Sequence, residues 1–318
     1  MANRVLVVNL NLAVDKTAVV DRLDKGRIYR LAEVKSLAGG KGVNVSRALT
    51  TLGVKPRLTG FLSGYSGRWI AGALRREGIE NRCVIFSPGE SRLCLSVVDG
   101  RDGIATDFNE EGSPVPAAAR RRFLKTYAAC LGGCGAAVFS GRICKGLGDG
   151  FFAQLIRIAK KRGALCALDT SGPALKAAAA AGPELVKLNR EEFEYLSGDK
   201  LSGGALCRFF AKARAAGTEY IVVTDGPHPG WAVTPQKLWR FRPPEIKPLS
   251  AVGAGDSFMA GLICGFARGA GRQECLRLAL GAAASDCLSL GAGIISRKQC
   301  LYFARHAALE KIREVCHA

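Results

Sequence analysis

The sequence predicts an α/β fold: a parallel β-sheet covered by helices on both faces, with a small second sheet projecting from it. Three observations carry this expectation. Short apolar runs alternate with amphipathic ones over most of the 318 residues, the pattern of strand–helix–strand units. Two stretches interrupt the alternation with strand-like runs that have no helix between them. Two glycine-rich turns each lead directly into a helical pattern, as expected for ligand sites beyond the carboxyl ends of parallel strands.

The elements follow in order. An apolar run at 5–8 is interrupted soon after by Asn9 and Asn11 and has no small-residue cleavage site. It reads as a buried first strand and not as a signal peptide. Residues 16–37 and 82–108 are the two interruptions, with strand-like runs at 18–20, 28–34, 93–98 and 104–108 and turns at Lys25-Gly26 and Asp99-Gly100. They are expected to form a small antiparallel sheet, a lid suited to cover a ligand. Helical patterns fall near 42–52, 68–77, 150–161, 191–196 and 205–216, and further strands at 136–139, 165–168, 185–188 and 220–224. From residue 254 the chain reads as helices to its end. No internal repeat or low-complexity linker divides it, so residues 1–318 are read as a single domain.

Composition narrows the function classes. With 48% hydrophobic residues the chain can bury a large core, and no apolar run of about 18 residues suggests a membrane span. The 46 Lys and Arg against 27 Asp and Glu give a net charge of +19, which favours anionic ligands, phosphates among them. The basic runs Arg120-Arg-Arg122 and Lys160-Lys-Arg162 lie on amphipathic segments and read as solvated helix faces. A nucleic-acid-binding protein that has lost catalysis is the remote alternative. The 12 cysteines are scattered through apolar segments, Cys130 and Cys134 lack metal-ligand spacing, and the histidines do not cluster. Buried reduced thiols in a cytoplasmic protein are the expected state.

The chemistry is concentrated at Ala251-Val-Gly-Ala-Gly-Asp-Ser-Phe-Met-Ala-Gly261. Gly253, Ala254 and Gly255 let successive amides converge at a helix start, where the unpaired N–H groups and the dipole attract an anion. A carboxylate at Asp256 would repel that anion unless it has a chemical task. The natural one is to take a proton from a hydroxyl that attacks a phosphoryl group. In isolation the same four residues are equally a capped glycine-rich turn. The second turn is Ala38-Gly-Gly-Lys-Gly-Val-Asn-Val-Ser-Arg47. Gly39, Gly40 and Gly42 permit close backbone approach, Lys41 supplies a cation and Asn44 can hydrogen-bond hydroxyls. It lacks the spacing of a P-loop.

Together these two motifs, early and late in a chain of this length, resemble the ribokinase-like sugar kinases of the phosphofructokinase B type. Landmarks between them match in order: Asn9-Leu10-Asn11 through Asp15, Ser91-Arg92, Thr106 to Asn109, Ser140-Gly141, Asp169-Thr-Ser-Gly172, Lys187-Leu-Asn-Arg-Glu-Glu192, and Thr224-Asp-Gly226 with Gly230. The resemblance covers essentially the whole chain and points to the branch of 1-phosphofructokinases and tagatose-6-phosphate kinases. It implies a three-layer α/β/α ribokinase-like fold with a β lid through which two subunits pair as a homodimer. It also implies ATP and magnesium as cofactor partners and a sugar phosphate, fructose 1-phosphate before others, as substrate. A tagatose-6-phosphate kinase, or a kinase of another sugar or of a nucleoside, is the alternative.

The roles it implies fall on particular residues. Asp256 would be the base, and the amides of Gly253, Ala254, Gly255 and Asp256 would hold the transferring phosphoryl group. Asn189 and Glu192 would hold magnesium through water. Thr224, Gly226 and Gly230 would meet ATP, with Lys187 near its phosphates. Lys41, Asn44, Asp15, Arg92 and Asn109, with Gly39, Gly40, Ser140 and Arg142, would orient the sugar phosphate. The chain departs from the family pattern at Leu12, Cys94, Ser96, Arg142 and Leu188. A cation is lost at 96 and one gained at 142, so Lys41, Arg92 and Arg142 are expected to share one substrate phosphate.

Overall fold

The computed structural model describes residues 4–312; the first three residues of the chain and the last six of the expected helical tail lie outside that range. In chain order the strands are β1 (Arg4–Asn9), β2 (Ala13–Val20), β3 (Lys35–Gly39), β4 (Lys55–Ser63), β5 (Glu80–Asn81), β6 (Val84–Phe86), β7 (Arg92–Asp99), β8 (Ala105–Asn109), β9 (Ala136–Ser140), β10 (Leu165–Asp169), β11 (Leu185–Asn189), β12 (Tyr220–Asp225), β13 (His228–Val233), β14 (Leu238–Arg242) and β15 (Ala308–Ile312). The helices are α1 (Lys41–Thr51), α2 (Gly64–Arg76), α3 (Ala117–Cys130), α4 (Phe151–Lys160), α5 (Pro173–Ala179), α6 (Arg190–Ser197), α7 (Gly203–Ala215), α8 (Ala254–Ala267), α9 (Arg272–Cys287) and α10 (Arg297–His306).

The large sheet runs β15-β14-β13-β12-β11-β10-β9-β1-β4-β5, with β6 attached to β4. Its middle, from β12 to β4, is parallel. Strand alternation divides the core into the two halves of a three-layer fold. Val5 and Val7 of β1, Val138 of β9 and Val222 of β12 enter one cluster, with residues of α1, α2, α8 and α9. Leu6, Val8, Phe139 and Val223 enter the other, with residues of α3, α4, α5, α6 and α7. No helix among the described residues is long and apolar enough to cross a membrane, and Cys144, Cys166 and Cys300 are buried thiols.

Several expectations are corrected. The lid sheet has the order β3-β2-β7-β8, and β2 pairs with β7 in parallel, so it is mixed and not purely antiparallel. The chain leaves the lid after β3, builds part of the main layer and returns, and such a long crossover can bring a strand back parallel. Residues 28–34 form no strand: Ile28 is 86% exposed and the segment has no paired edge. At 82–91, β6 pairs with β4 and therefore belongs to the large sheet. The carboxyl-terminal region is not helical throughout, because β15 adds antiparallel to the edge of β14. The partner edge overrides the local helical preference of the sequence there. Past β12 the sheet also turns antiparallel through β13 and β14.

Strand β4 was not expected, since Pro56 and Gly60 interrupt its apolar pattern. A Cβ on Gly60 would lie 1.9 Å from the Asn9 carbonyl oxygen. Glycine is what lets β4 lie beside β1 at the point where β1 delivers Asn9 to the site.

Candidate active site

Parallel strands end on one edge, and each glycine-rich turn starts a helix there. Gly40 caps α1 with φ 102° and Gly253 caps α8 with φ 94°, both in the left-handed region that favours glycine. The two helices pack together, and a buried hydrogen bond joins them near their starts, in which Asn44 Nδ2 donates to Asp256 Oδ2 at 2.8 Å. Arg47 fixes the other end of that amide by donating to Asn44 Oδ1 at 3.2 Å. The same guanidinium donates to the carbonyls of Ala38 and Ala292, both at 2.7 Å, and pairs with Glu77. Asn44 is thereby held with its donor toward the carboxylate.

Asp256 lies in the first turn of α8 and is 6% exposed. Burial pushes its carboxyl up to about 7; Lys41, Asn44 and Lys187 oppose the rise and the charge of Asp169 adds to it. A carboxylate that loses its proton near neutrality is suited to act as a base. Within the turn, the Ala254 amide donates to Ala251 O at 3.3 Å and the Asp256 amide to Gly253 O at 2.9 Å. Of the four amides expected from the sequence to converge, those of Gly253 and Gly255 have no partner among the described residues.

Asp169, at the end of β10, is fully buried between two ammonium groups: Lys41 Nζ at 3.4 Å and Lys187 Nζ at 3.3 Å. Burial alone would raise its proton affinity, but Lys187 and Lys41 outweigh it and hold the carboxyl below the usual range. In return Asp169 holds Lys41 protonated well beyond neutrality. Lys187 Nζ also lies 2.9 Å from the point a Cβ on Gly255 would occupy. A second cation thus reaches the turn at the start of α8.

The expected metal ligands make a local structure. Asn189 Oδ1 accepts from the Glu192 amide at 2.8 Å, and Glu192 Oε2 accepts from the Asn189 amide at 2.9 Å. This reciprocal capping box starts α6. The Asn-x-x-Glu spacing before an apolar residue was its sequence signal. Burial and the nearby Asp169 raise the proton affinity of Glu192. Among the residues expected to meet ATP, Thr224 Oγ1 donates to Leu188 O at 3.3 Å, and Gly226 turns the chain with φ 55°. Gly230 sits inside β13, where a Cβ would meet the Phe241 ring at 2.3 Å; its smallness serves packing.

Among the residues expected to orient the sugar phosphate, the Gly40 amide donates to Asp15 Oδ2 at 3.3 Å. A Cβ on Gly39 would overlap the Asp15 carboxylate at 2.0 Å. Burial raises the proton affinity of Asp15 against the Gly40 amide and Arg92. Arg92 donates to Asn11 O at 3.3 Å and reaches Cys94 Sγ at 3.0 Å. The three cations expected to form one clamp have different neighbours. Lys41 is on Asp169, Arg92 is beside Asn11, and Arg142 is exposed with its charge acting on Glu111. Asn109 is exposed opposite Cys94 in the β7–β8 ladder. Ser140 is fully buried, and its hydroxyl has no partner among the described residues.

Asp169, Arg47 and Asn9 stand at this edge beside the residues expected from the sequence. Asp169 had a signal, a lone carboxylate closing an apolar strand. Arg47 had none beyond its place one turn after Asn44. Asn9 is 1% exposed with both amide atoms unpartnered among the described residues, and it packs against Gly40 and Gly42.

Comparison with known proteins agrees with this geometry. The profile of the pfkB family carbohydrate kinases matches residues 4–299. A 1-phosphofructokinase from Xanthomonas campestris pv. campestris is 33% identical over 285 residues, covering 88% of this chain and 89% of that protein. A tagatose-6-phosphate kinase from Staphylococcus epidermidis is 28% identical over 279 residues, covering 86% and 89%. The tetrameric inhibited form of phosphofructokinase-2 from Escherichia coli superposes with a TM-score of 0.86 at 25% identity, covering 95% of this chain and 98% of that one. With a buried carboxylate at the start of α8, two lysines converging beside it and a family match over nearly the whole length, the chain belongs to the pfkB family of carbohydrate kinases.

Proposed function

We propose that this protein transfers the γ-phosphoryl group of ATP to a hydroxyl of a ketohexose monophosphate, fructose 1-phosphate giving the 1,6-bisphosphate. The observation that carries the reading is the buried Asp256, oriented by Asn44 and poised near neutrality, at a helix start that Lys187 also reaches. Asp256 takes the proton of the sugar hydroxyl as its oxygen bonds to the γ-phosphorus. The bond from that phosphorus to the bridging oxygen breaks, and ADP leaves with the electron pair. The amides of Gly253 and Gly255, with Lys187 and Lys41, neutralise charge on the transferring group, which is most of what phosphoryl transfer requires.

Magnesium fits the donors present. The capping box uses Glu192 Oε2 and Asn189 Oδ1, and Glu192 Oε1 remains for a metal-bound water. Magnesium keeps much of its hydration and would supply charge neutralisation on the nucleotide phosphates. Thr224 and Gly226 border the adenine nucleotide in this reading. Asp15, Asn44 and Arg92 hold the sugar phosphate, with Asn109, Ser140 and Arg142 at its margin. The names of the two kinase relatives support a phosphorylated ketohexose. The buried thiols agree with a cytoplasmic location, and we take residues 1–318 as one catalytic domain with its lid.

The test is ADP release from ATP with fructose 1-phosphate, tagatose 6-phosphate and unphosphorylated fructose. Highest turnover per Michaelis constant on fructose 1-phosphate is expected. Preference for the unphosphorylated sugar would overturn the assignment.

A further inference from the structure

Beneath the proposed transfer site lies a carboxyl that the reaction does not use. Asp286 of α9 is 1% exposed, and neither of its oxygens has a hydrogen-bond partner among the described residues. Helix α9 packs along α8, and Asp286 Oδ2 stands 2.8 Å from the point a Cβ on Gly253 would occupy. The carboxyl therefore touches, from its buried side, the turn whose amides are assigned to the transferring phosphoryl group. A side chain on Gly253 would collide with it as well as with Ala292.

Four groups act on Asp286 most strongly. From α8 come Asp256 and the Ser257 hydroxyl, and from the loop after α9 the amides of Gly293 and Ile294. The Cys287 and Cys300 thiols feel its charge from α9 and α10. Among the described residues, the groups that act on it most strongly carry no positive charge. Ser257 and the two amides favour its charged form, but none completes a hydrogen bond of normal geometry. A buried carboxylate without a counter-charge costs far more than the neutral acid. Burial first, and the Asp256 charge after it, push this carboxyl up to about 7.

We propose that Asp286 is a positioning residue of the transfer site: uncharged, it supports the Gly253 turn from below, and when ionised it sets a negative charge against the anion that the turn holds. Asp256 and Asp286 then act as an opposed pair. The first must lose its proton for turnover, and the second must keep its own. Binding of an anion at the turn raises the proton affinity of Asp286 by the same coupling that lets its ionisation weaken the anion.

The inference rests on the kinase reading, and turnover against pH separates the two. Asp286→Asn keeps the size and cannot ionise; Asp286→Ala removes both charge and support. In the wild-type protein turnover rises as Asp256 loses its proton and falls again on the alkaline side. In Asp286→Asn the alkaline fall is expected to move upward by about one pH unit or more, with the acid limb in place. Asp286→Ala is expected to show the same alkaline shift with a lower plateau, because the Gly253 turn loses its support. Unchanged alkaline limbs in the variants, with only the plateau lowered, would make Asp286 merely structural and overturn the proposal. Absence of turnover in the wild type at every pH would instead strike the kinase reading itself.

Discussion

Asp169 shows how closely charge is balanced at single residues of this site. It is fully buried, and its two oxygens face one ammonium each, Lys41 at 3.4 Å and Lys187 at 3.3 Å. Breaking a buried pair by removing one partner costs about 3–5 kcal/mol, because the other charge is left uncompensated. Lys41 still faces Asp169 in Lys187→Met, so a smaller loss, about 1.5–3 kcal/mol, is expected in denaturant unfolding at neutral pH. The sign with pH follows from the direction of the Asp169 shift. Its folded proton affinity is depressed, so it contributes stability above its unfolded value of 3.8, lost as pH falls below it. In Lys187→Met that contribution shrinks, so the gap between variant and wild type should narrow as the pH is lowered below about 4. A gap that is constant with pH would show that the pair does not stabilise through charge.

At the scale of elements, the turns and their helices explain what the sequence made legible. Gly39 and Gly253 each sit where a Cβ would strike a carboxylate, that of Asp15 and that of Asp286. Such glycines leave a mark in the sequence, and both helix starts were read from it. Asp256, Asn44 and Lys41 were likewise legible, because they stand within a few residues of those glycines. Asp169 and Arg47 act across the fold, on Lys41 128 positions away and on Ala292 245 positions away, and local pattern carries no such distance. Strand β15 was missed for a related reason: the open edge of β14, and not its own residues, makes it a strand.

The lid tests one expectation of this kind. Arg92, placed on β7 beside Asp15 and Asn11, should hold substrate phosphate. Arg92→Ala is expected to raise the Michaelis constant for the sugar phosphate by roughly one to two decades, the worth of a charge-assisted hydrogen bond, and that for ATP much less. Arg142, exposed and facing Glu111, should give a smaller rise on the same measurement. Equal effects on both substrates would remove Arg92 from the sugar-phosphate site.

At the scale of the whole molecule, the lid exposes Val19, Ile104 and Phe108, and the segment between β2 and β3 exposes Ile28. Apolar surface and unpaired edges of this kind call for a cover, and a symmetric partner would supply it. A dimer or higher assembly at micromolar concentration is expected in light scattering, shifting to monomer when Ile28 and Phe108 are both replaced by Asp. An unchanged mass would place the subunit contact elsewhere.

Asp256, held by Asn44 at the start of α8, is proposed as the base of a sugar-phosphate kinase. This role is tested most directly by ADP release with fructose 1-phosphate in the wild-type protein and in Asp256→Asn. That substitution keeps the size and the capping capacity of the residue and removes only its ability to take a proton. The account predicts ready turnover in the wild type and a loss of about a hundredfold or more in the variant, with ATP still bound. Turnover in Asp256→Asn close to that of the wild type would contradict it.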